Sequence, residues 1–239
     1  MKKILLLGAS GNIAPHIIPT LEKTYDFQLA DVSPYPDGRD IGHVDVTDYD
    51  QVLAAAHGVN AIMNFTVIRS VRDGAFEVNV TGAWHVMRAA AELGIKRVIH
   101  TGPQCIRSAH DHEFDVSDVP RAPGTSLYGL TKTMSYEICR IYARRYGIQT
   151  VTFVFNGLSP RPEGSKQERD FPPMTIVYDD LAEACKLALE IETVPDDYQE
   201  FNMLSYEGHG KYTVDKARRI LGFEPSEKWE DYFKRPVKP

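Results

Sequence analysis

Tyr128 and Lys132 are the pair whose residue types and spacing point most directly to chemistry. Four residues apart on a helix, a phenol and an ammonium project from one face, a turn from each other. A tyrosine with its ordinary pKa of ~10 is a weak base at neutral pH. An ammonium close by favours the phenolate and lowers that value. Such a tyrosine can take a proton from an alcohol as hydride leaves the carbon, or return it in reverse. The pattern Y-x-x-x-K also arises by chance, so its meaning depends on where the fold puts it.

A second constellation opens the chain: Lys3–Ala14, KILLLGASGNIA. Ile4, Leu5, Leu6 and Leu7 form a continuous apolar run, which suits a strand buried on both faces of a parallel sheet. Gly8 permits a tight turn, and Gly11 lets backbone approach a bound group without a Cβ in the way. Ala14 is small where a helix must lie close to that strand, and Pro15 is tolerated in the first helical turn. Gly8, Ala9, Ser10, Gly11, Asn12 and Ile13 thus lead into a helix N-terminus, whose free N–H groups and dipole attract a pyrophosphate. The spacing G-x-x-G-x-x-A is weak alone and gains weight from an acidic residue roughly 20 positions on, at the next strand end. Phe27-Gln28-Leu29-Ala30-Asp31 supplies it. Asp31 can accept hydrogen bonds from both ribose hydroxyls of an adenosine and would repel a 2′-phosphate, which favours NAD over NADP.

The elements that must position these groups follow in order. A helix is expected over about Asn12–Lys23, kinked or ended early by Pro19. Ser33–Gly38 is a loop. Val44 and Val46 read as a short strand, and Asp48 as the cap of a helix running to about His57. Asp45 and Val46 fall where a third strand ends and can meet an adenine, which wants an acceptor and an apolar neighbour. A surface aspartate fits as well. Ala61–Phe65 is a fourth strand, and Thr66 opens the loop over the middle of the cofactor. One long helix is expected over Gly74–Leu93, ended by Gly94, with Phe76, Val80, Trp84, Met87 and Ala91 facing inward. Ile95–Thr101 is the fifth strand.

This alternation calls for an α/β fold, a doubly wound parallel sheet of the Rossmann type, with ligands beyond the carboxyl ends of its strands. Thr101 and its successors then face the reacting end of the cofactor, and residues 102–126 form a loop before the helix that begins at Tyr128. The chain divides into a dinucleotide-binding domain, 1–155, and a small substrate-binding cap, 156–239. Residues 176–190, a strand and then a helix, return to the Rossmann sheet, and Phe201–Leu204 and Tyr212–Leu221 are a further strand and helix.

Composition narrows the partners. A net charge of −6 gives no basic footprint for nucleic acid or an anionic membrane. No run approaches the ~18 apolar residues of a spanning helix, and the start of the chain reads as a strand rather than a signal peptide. Cys105, Cys139 and Cys185 follow no metal or redox pattern and fit reduced thiols in a cytoplasmic protein. His110-Asp111-His112-Glu113 resembles a metal site, but adjacent loop residues rarely converge on one ion, so a solvated loop is expected and no metal.

Taken together, the motifs are identified as those of an extended short-chain dehydrogenase/reductase, of the NAD-dependent epimerase/dehydratase group. The matching pieces are Gly8–Ala14, Asp31, Asp45-Val46-Thr47-Asp48, Asn64-Phe65-Thr66, Asn79-Val80-Thr81-Gly82, Tyr128-x-x-x-Lys132 and Leu221-Gly222-Phe223-Glu224-Pro225. The resemblance implies that Tyr128 is the acid/base, and that Lys132 lowers its pKa and holds the nicotinamide ribose. It also implies that Asn64, Phe65 and Thr66 line the cofactor, and that a homodimer packs through helices 74–93 and 128–146. Leu29–Pro34, Ser126–Lys132 and the short C-terminal part are most similar to uronate dehydrogenases, implying a free sugar, sugar acid or small polyol as substrate. NAD-retaining epimerases and dehydratases are the enzymatic alternative.

Two positions depart from the family. Its Ser or Thr beside the tyrosine falls on Pro103, and Thr101, two residues early, can substitute only if the loop is rearranged. The family's L-R-x-x-N becomes Phe153-Val154-Phe155-Asn156, without the arginine. Asn156 remains a candidate substrate contact, and Arg161 or Arg169 can fork a carboxylate from the polar loop that follows. An NAD-binding sensor without catalysis is the reading that Pro103 keeps open.

Overall fold

The computed structural model describes residues 1–69, 74–161 and 173–226. Its centre is a parallel sheet in the order β3-β2-β1-β4-β5-β6-β9. These strands are β1 (Lys3–Leu7), β2 (Asp26–Asp31), β3 (Gly42–His43), β4 (Ala61–Asn64), β5 (Arg97–Pro103), β6 (Gln149–Phe155) and β9 (Tyr198–Asn202). A separate pair, β7 (Gly157–Ser159) and β8 (Thr175–Val177), lies beyond β6.

Alternation along the strands feeds two cores. Ile4, Leu6, Met63 and Ile99 face the side covered by α1 (Ala14–Leu21), α5 (Tyr178–Glu190) and α6 (Asp215–Leu221). Leu5, Leu7, Ile62 and Val98 face the side covered by α2 (Tyr49–Ala55), α3 (Gly82–Leu93) and α4 (Leu127–Tyr146). Every apolar residue of β1 is therefore buried, the signature of a sheet wound on both faces.

Several local expectations shift. Helix α1 spans eight residues and ends two after Pro19, as the missing N–H there requires. Strand β3 lies at Gly42–His43 rather than at Val44 and Val46. Beyond His43 the chain turns, because Asp45 Oδ1 accepts from Thr47 N (2.9 Å) and Oγ1 (2.8 Å), and the two valines are buried in the second core. Asp48 caps α2 as expected, accepting from Asp50 N and Gln51 N.

The expected helix over 74–93 is present, helical without a break from Ala75, with a π-helical turn over Glu77–Thr81 that leads into α3. Its inward face is also rotated. Phe76 and Trp84 are 45% and 39% exposed, while Ala83, Val86, Met87, Ala89 and Ala90 are buried. At its start α3 lies close to the turn after β3, where a Cβ on Gly82 would sit 2.8 Å from Val46 Cγ2.

Strand β5 runs two residues further than expected, with Gly102 paired to Val154 and Pro103 to Phe155. In the C-terminal part, 176–177 belongs to β8 and pairs with β7, so that strand does not return to the main sheet. Helix α5 does return, packing against α1, and β9 becomes the seventh strand beside β6. Among the described residues, no helix is long and apolar enough to cross a membrane.

Candidate active site

The turn after β1 is held by its own neighbours. Gly8 and Ala9 both donate to Ala30 O (3.1 and 3.2 Å), and Gly11 donates back to Gly8 O (3.2 Å). Gly8 has φ +84°, and a Cβ there would lie 2.7 Å from the Phe65 carbonyl carbon. No side chain fits that close approach between β1 and β4. Past the turn, the Asn12 and Ile13 amides find no backbone acceptor among the described residues, and Pro15 in the first turn of α1 has no N–H to compete. Open amides at a helix start suit a pyrophosphate.

Asp31, at the end of β2, accepts from Ser10 N through Oδ2 (2.9 Å) and from Ser33 N through Oδ1 (3.0 Å). Each oxygen keeps a lone pair for a ribose hydroxyl. A cavity of about 480 Å³ opens here, lined by Gly8, Ser10, Gly11, Asp31, Val46 and Ile68 among others. Asp45 lines it too, with Oδ1 committed to Thr47. Among the described residues no lysine or arginine borders this cavity, so there a 2′-phosphate would meet Asp31 without a counter-charge. These groups fit the adenosine half of NAD.

A second cavity, of about 490 Å³, begins on the other side of Phe65 and Val67, which line both. Asn12, Ile13, Arg69, Thr101, Pro103, Tyr128, Lys132 and Asn156 share it. The structure thus brings together most of the residues singled out from the sequence. Asn64, buried, accepts from Thr66 N (3.2 Å) and Oγ1 (2.7 Å) and fixes the chain between the two cavities. Asn156 is exposed at the rim. Arg169 lies outside the described residues.

Helix α4 starts where the chemistry needs it. Ser126 caps it, accepting from Gly129 N (3.1 Å), which sets Tyr128 in the first turn. Lys132, one turn on, is 1% exposed and donates to Thr101 O (3.0 Å) and Thr66 O (3.3 Å). Burial without an anionic partner, with Arg69 adding repulsion, pushes its pKa down to about 8. Burial also raises the Tyr128 phenol, and the positive charge of Arg69 pulls it part of the way back. The Lys132 ammonium is turned to two carbonyls, one in β5 and one just after β4.

Thr101 sits within β5, paired to Phe153 and 4% exposed, and borders the cavity that holds Tyr128. His110, Asp111 and Glu113 bond locally or to Tyr212, and no group of three or more metal-binding side chains gathers among the described residues.

Two residues here escape motif reading. Arg69 follows β4 in a segment without periodicity. Asn79 stood in a recognised tetrapeptide, but its role shows only in space. It accepts from Ile68 N (2.9 Å), donates to Ile68 O (2.7 Å), and donates to Thr131 Oγ1 (3.0 Å).

The sequence model of the NAD dependent epimerase/dehydratase family matches residues 4–178. A NAD-dependent glucose-6-phosphate dehydrogenase of Haloferax volcanii is 24% identical, covering 94% of this chain and 93% of that protein. A uronate dehydrogenase of Pseudomonas syringae pv. tomato is 28% identical, covering 78% of this chain and 69% of its own length. Among solved structures, the glucuronic acid dehydrogenase of Chromohalobacter salexigens superposes with a TM-score of 0.81 at 20% identity, over 96% of this chain and 86% of that one.

Proposed function

Because the chain belongs to the NAD dependent epimerase/dehydratase family, we propose that it is an NAD-dependent dehydrogenase oxidising the carbinol of a sugar, a sugar acid or a similar small polyol. The observation that carries this reading is that Tyr128, Lys132 and the end of β5 line one cavity, which shares Phe65 and Val67 with the neighbouring cavity of Asp31. Relatives named for glucose 6-phosphate and uronates support the substrate class.

NAD, when bound, supplies the acceptor for a hydride. The Asn12 and Ile13 amides hold its pyrophosphate, Asp31 its adenosine ribose, and Asp45 and Val46 border its adenine. Phe65 and Thr66 line its middle. Lys132, fixed by the Thr101 and Thr66 carbonyls, holds the nicotinamide ribose. Tyr128 takes the proton from the carbinol oxygen, and Asn156 orients the sugar from the rim; a place for Arg169 on a substrate carboxylate belongs to the same reading. Free thiols at Cys105, Cys139 and Cys185 suit a reducing compartment, the cytoplasm.

NADH absorbance with glucuronate, galacturonate, glucose 6-phosphate and L-arabinose tests the reading. Turnover is expected on at least one sugar, falling ~10²–10⁴-fold in Tyr128→Phe. NAD bound tightly with a sugar converted but no net NADH would replace the dehydrogenase by an epimerase. NAD binding with no turnover across the panel would point to a sensor.

A further inference from the structure

The segment that leaves β4 alternates between the two cavities. Thr66 and Ile68 line the adenosine cavity, and Arg69 lines the cavity of Tyr128. Successive side chains of extended backbone point to opposite sides, so the face taken by Ile68 decides the face taken by Arg69. Two buried asparagines hold the segment in that register. Asn64 accepts from Thr66 N (3.2 Å) and Oγ1 (2.7 Å). Asn79 accepts from Ile68 N (2.9 Å), donates to Ile68 O (2.7 Å) and is tied to Thr131 on α4. It lies on the π-helical turn, and such turns concentrate at functional sites. Arg69 therefore starts from a fixed backbone.

The charge it brings there meets no opposite charge among the described residues. Arg107, Arg121, Arg140 and Arg218 each pair with a carboxylate of the fold, whereas Arg69 forms no ion pair with a described residue. The cavity of about 490 Å³ is bordered by Arg69, Lys132 and His16, and by no described aspartate or glutamate. Lys132 is buried and falls to the nicotinamide ribose. His16 is stacked on Tyr178, ring centroids 4.0 Å apart. The pyrophosphate has the Asn12 and Ile13 amides. Arg69, exposed, is left as the cation open to a substrate. A cleft lined by one sign of charge concentrates the other, and a guanidinium fork matches two oxygens of a carboxylate or phosphate.

We propose that the substrate carries an acid group, a carboxylate or a phosphate ester, and that Arg69 is the residue that selects it. Its guanidinium donates to two oxygens of that group, and so holds the sugar with its carbinol at Tyr128. A neutral sugar offers only hydroxyls and leaves the fork to water. The proposal rests on the dehydrogenase reading for the site it describes, and its second test needs no turnover.

The first test compares kcat/KM for glucuronate and for glucose 6-phosphate with that for glucose, followed as NADH absorbance. Wild type should favour one of the two acids, which identifies the group as carboxylate or phosphate. Arg69→Gln should cut that preference ~10-fold or more, chiefly through KM, the scale of one charge-assisted hydrogen bond. Arg69→Lys should restore part of it. The second test is calorimetric titration of the two acids into protein saturated with NADH. Arg69→Gln should weaken the favoured acid by a similar factor, with NAD bound about as tightly as by wild type. An acid preference that Arg69→Gln does not move, no preference or no acid binding in wild type, or an equal loss of NAD affinity overturns the proposal. Acid binding that depends on Arg69, with no turnover on any sugar, would overturn the dehydrogenase reading and keep Arg69 as the acid site. Circular dichroism of both variants confirms that the fold is kept.

Discussion

At the scale of single residues, the balance between burial and charge decides what the site can do. Lys132 lies in a setting that penalises its ammonium, with a pKa of about 8 against about 10.4 for an unfolded lysine. Between those values the unfolded chain binds more protons than the folded one, so Lys132 makes stability rise with pH through that window. Buried thiols at Cys139 and Cys185, whose pKa values are raised, pull the other way, since they ionise first in the unfolded state. Comparing wild type with Lys132→Met isolates the lysine: the wild-type Tm should gain on the variant's between pH 7 and 10. A difference flat across that range would show that Lys132 is not buried as an ammonium.

Asp31 gives a second expectation at this scale. With no lysine or arginine among the described residues that line the adenosine cavity, wild type should prefer NAD, and Asp31→Ala should weaken NAD by ~100-fold or more while leaving NADP less disfavoured. Losing two hydrogen bonds made to a charged acceptor, worth ~1.5–3 kcal/mol each, sets that scale. Isothermal titration with both dinucleotides measures it.

At the scale of elements, the π-helical turn carries more of the site than any strand. Asn79 satisfies both Ile68 backbone groups and Thr131 from one buried side chain. Asn79→Ala leaves those groups without their partner, so it should cost ~1–3 kcal/mol in urea denaturation and should weaken NAD by loosening Ile68, which lines the adenosine cavity. Gly82→Ala should also destabilise, because its methyl meets Val46 at 2.8 Å, but with less effect on the chemistry. The alternation of strands and helices, the capped start of α2 and the Gly8 turn were legible in the sequence because each follows from local chemistry. Apolar runs make buried strands, Asp48 makes a cap, and only glycine fits at position 8. What was hidden depends on spatial partners. A π-turn has no simple period, the outward face of Trp84 depends on how α3 packs, and the hold on Ile68 depends on Asn79. The reach of β5 to Pro103 was hidden as well, since a proline in a strand normally argues against it.

At the scale of the whole molecule, the helical layer of α3 and α4 leaves apolar surface unpaired. Trp84, Leu130, Met134 and Ile141 are 39%, 41%, 46% and 52% exposed, and the last three recur along one side of α4. A contiguous patch of this kind marks an interaction surface, and we propose a second copy of the chain as its occupant. Light scattering should give a homodimer, and Ile141→Asp a monomer that still binds NAD, since the patch lies apart from both cavities. A monomeric wild type would contradict this.

The central claim is one of position: Tyr128 looks onto the nicotinamide of a dinucleotide held from Asp31 across the Asn12–Ile13 amides. A crystal structure with NAD measures this directly. The nicotinamide ring should lie in the cavity of Thr101, Pro103 and Tyr128, its ribose on Lys132, with room for one carbinol carbon between ring C4 and the phenol oxygen. A ring bound outside that cavity, or a phenol turned away from it, would contradict the catalytic role given to Tyr128.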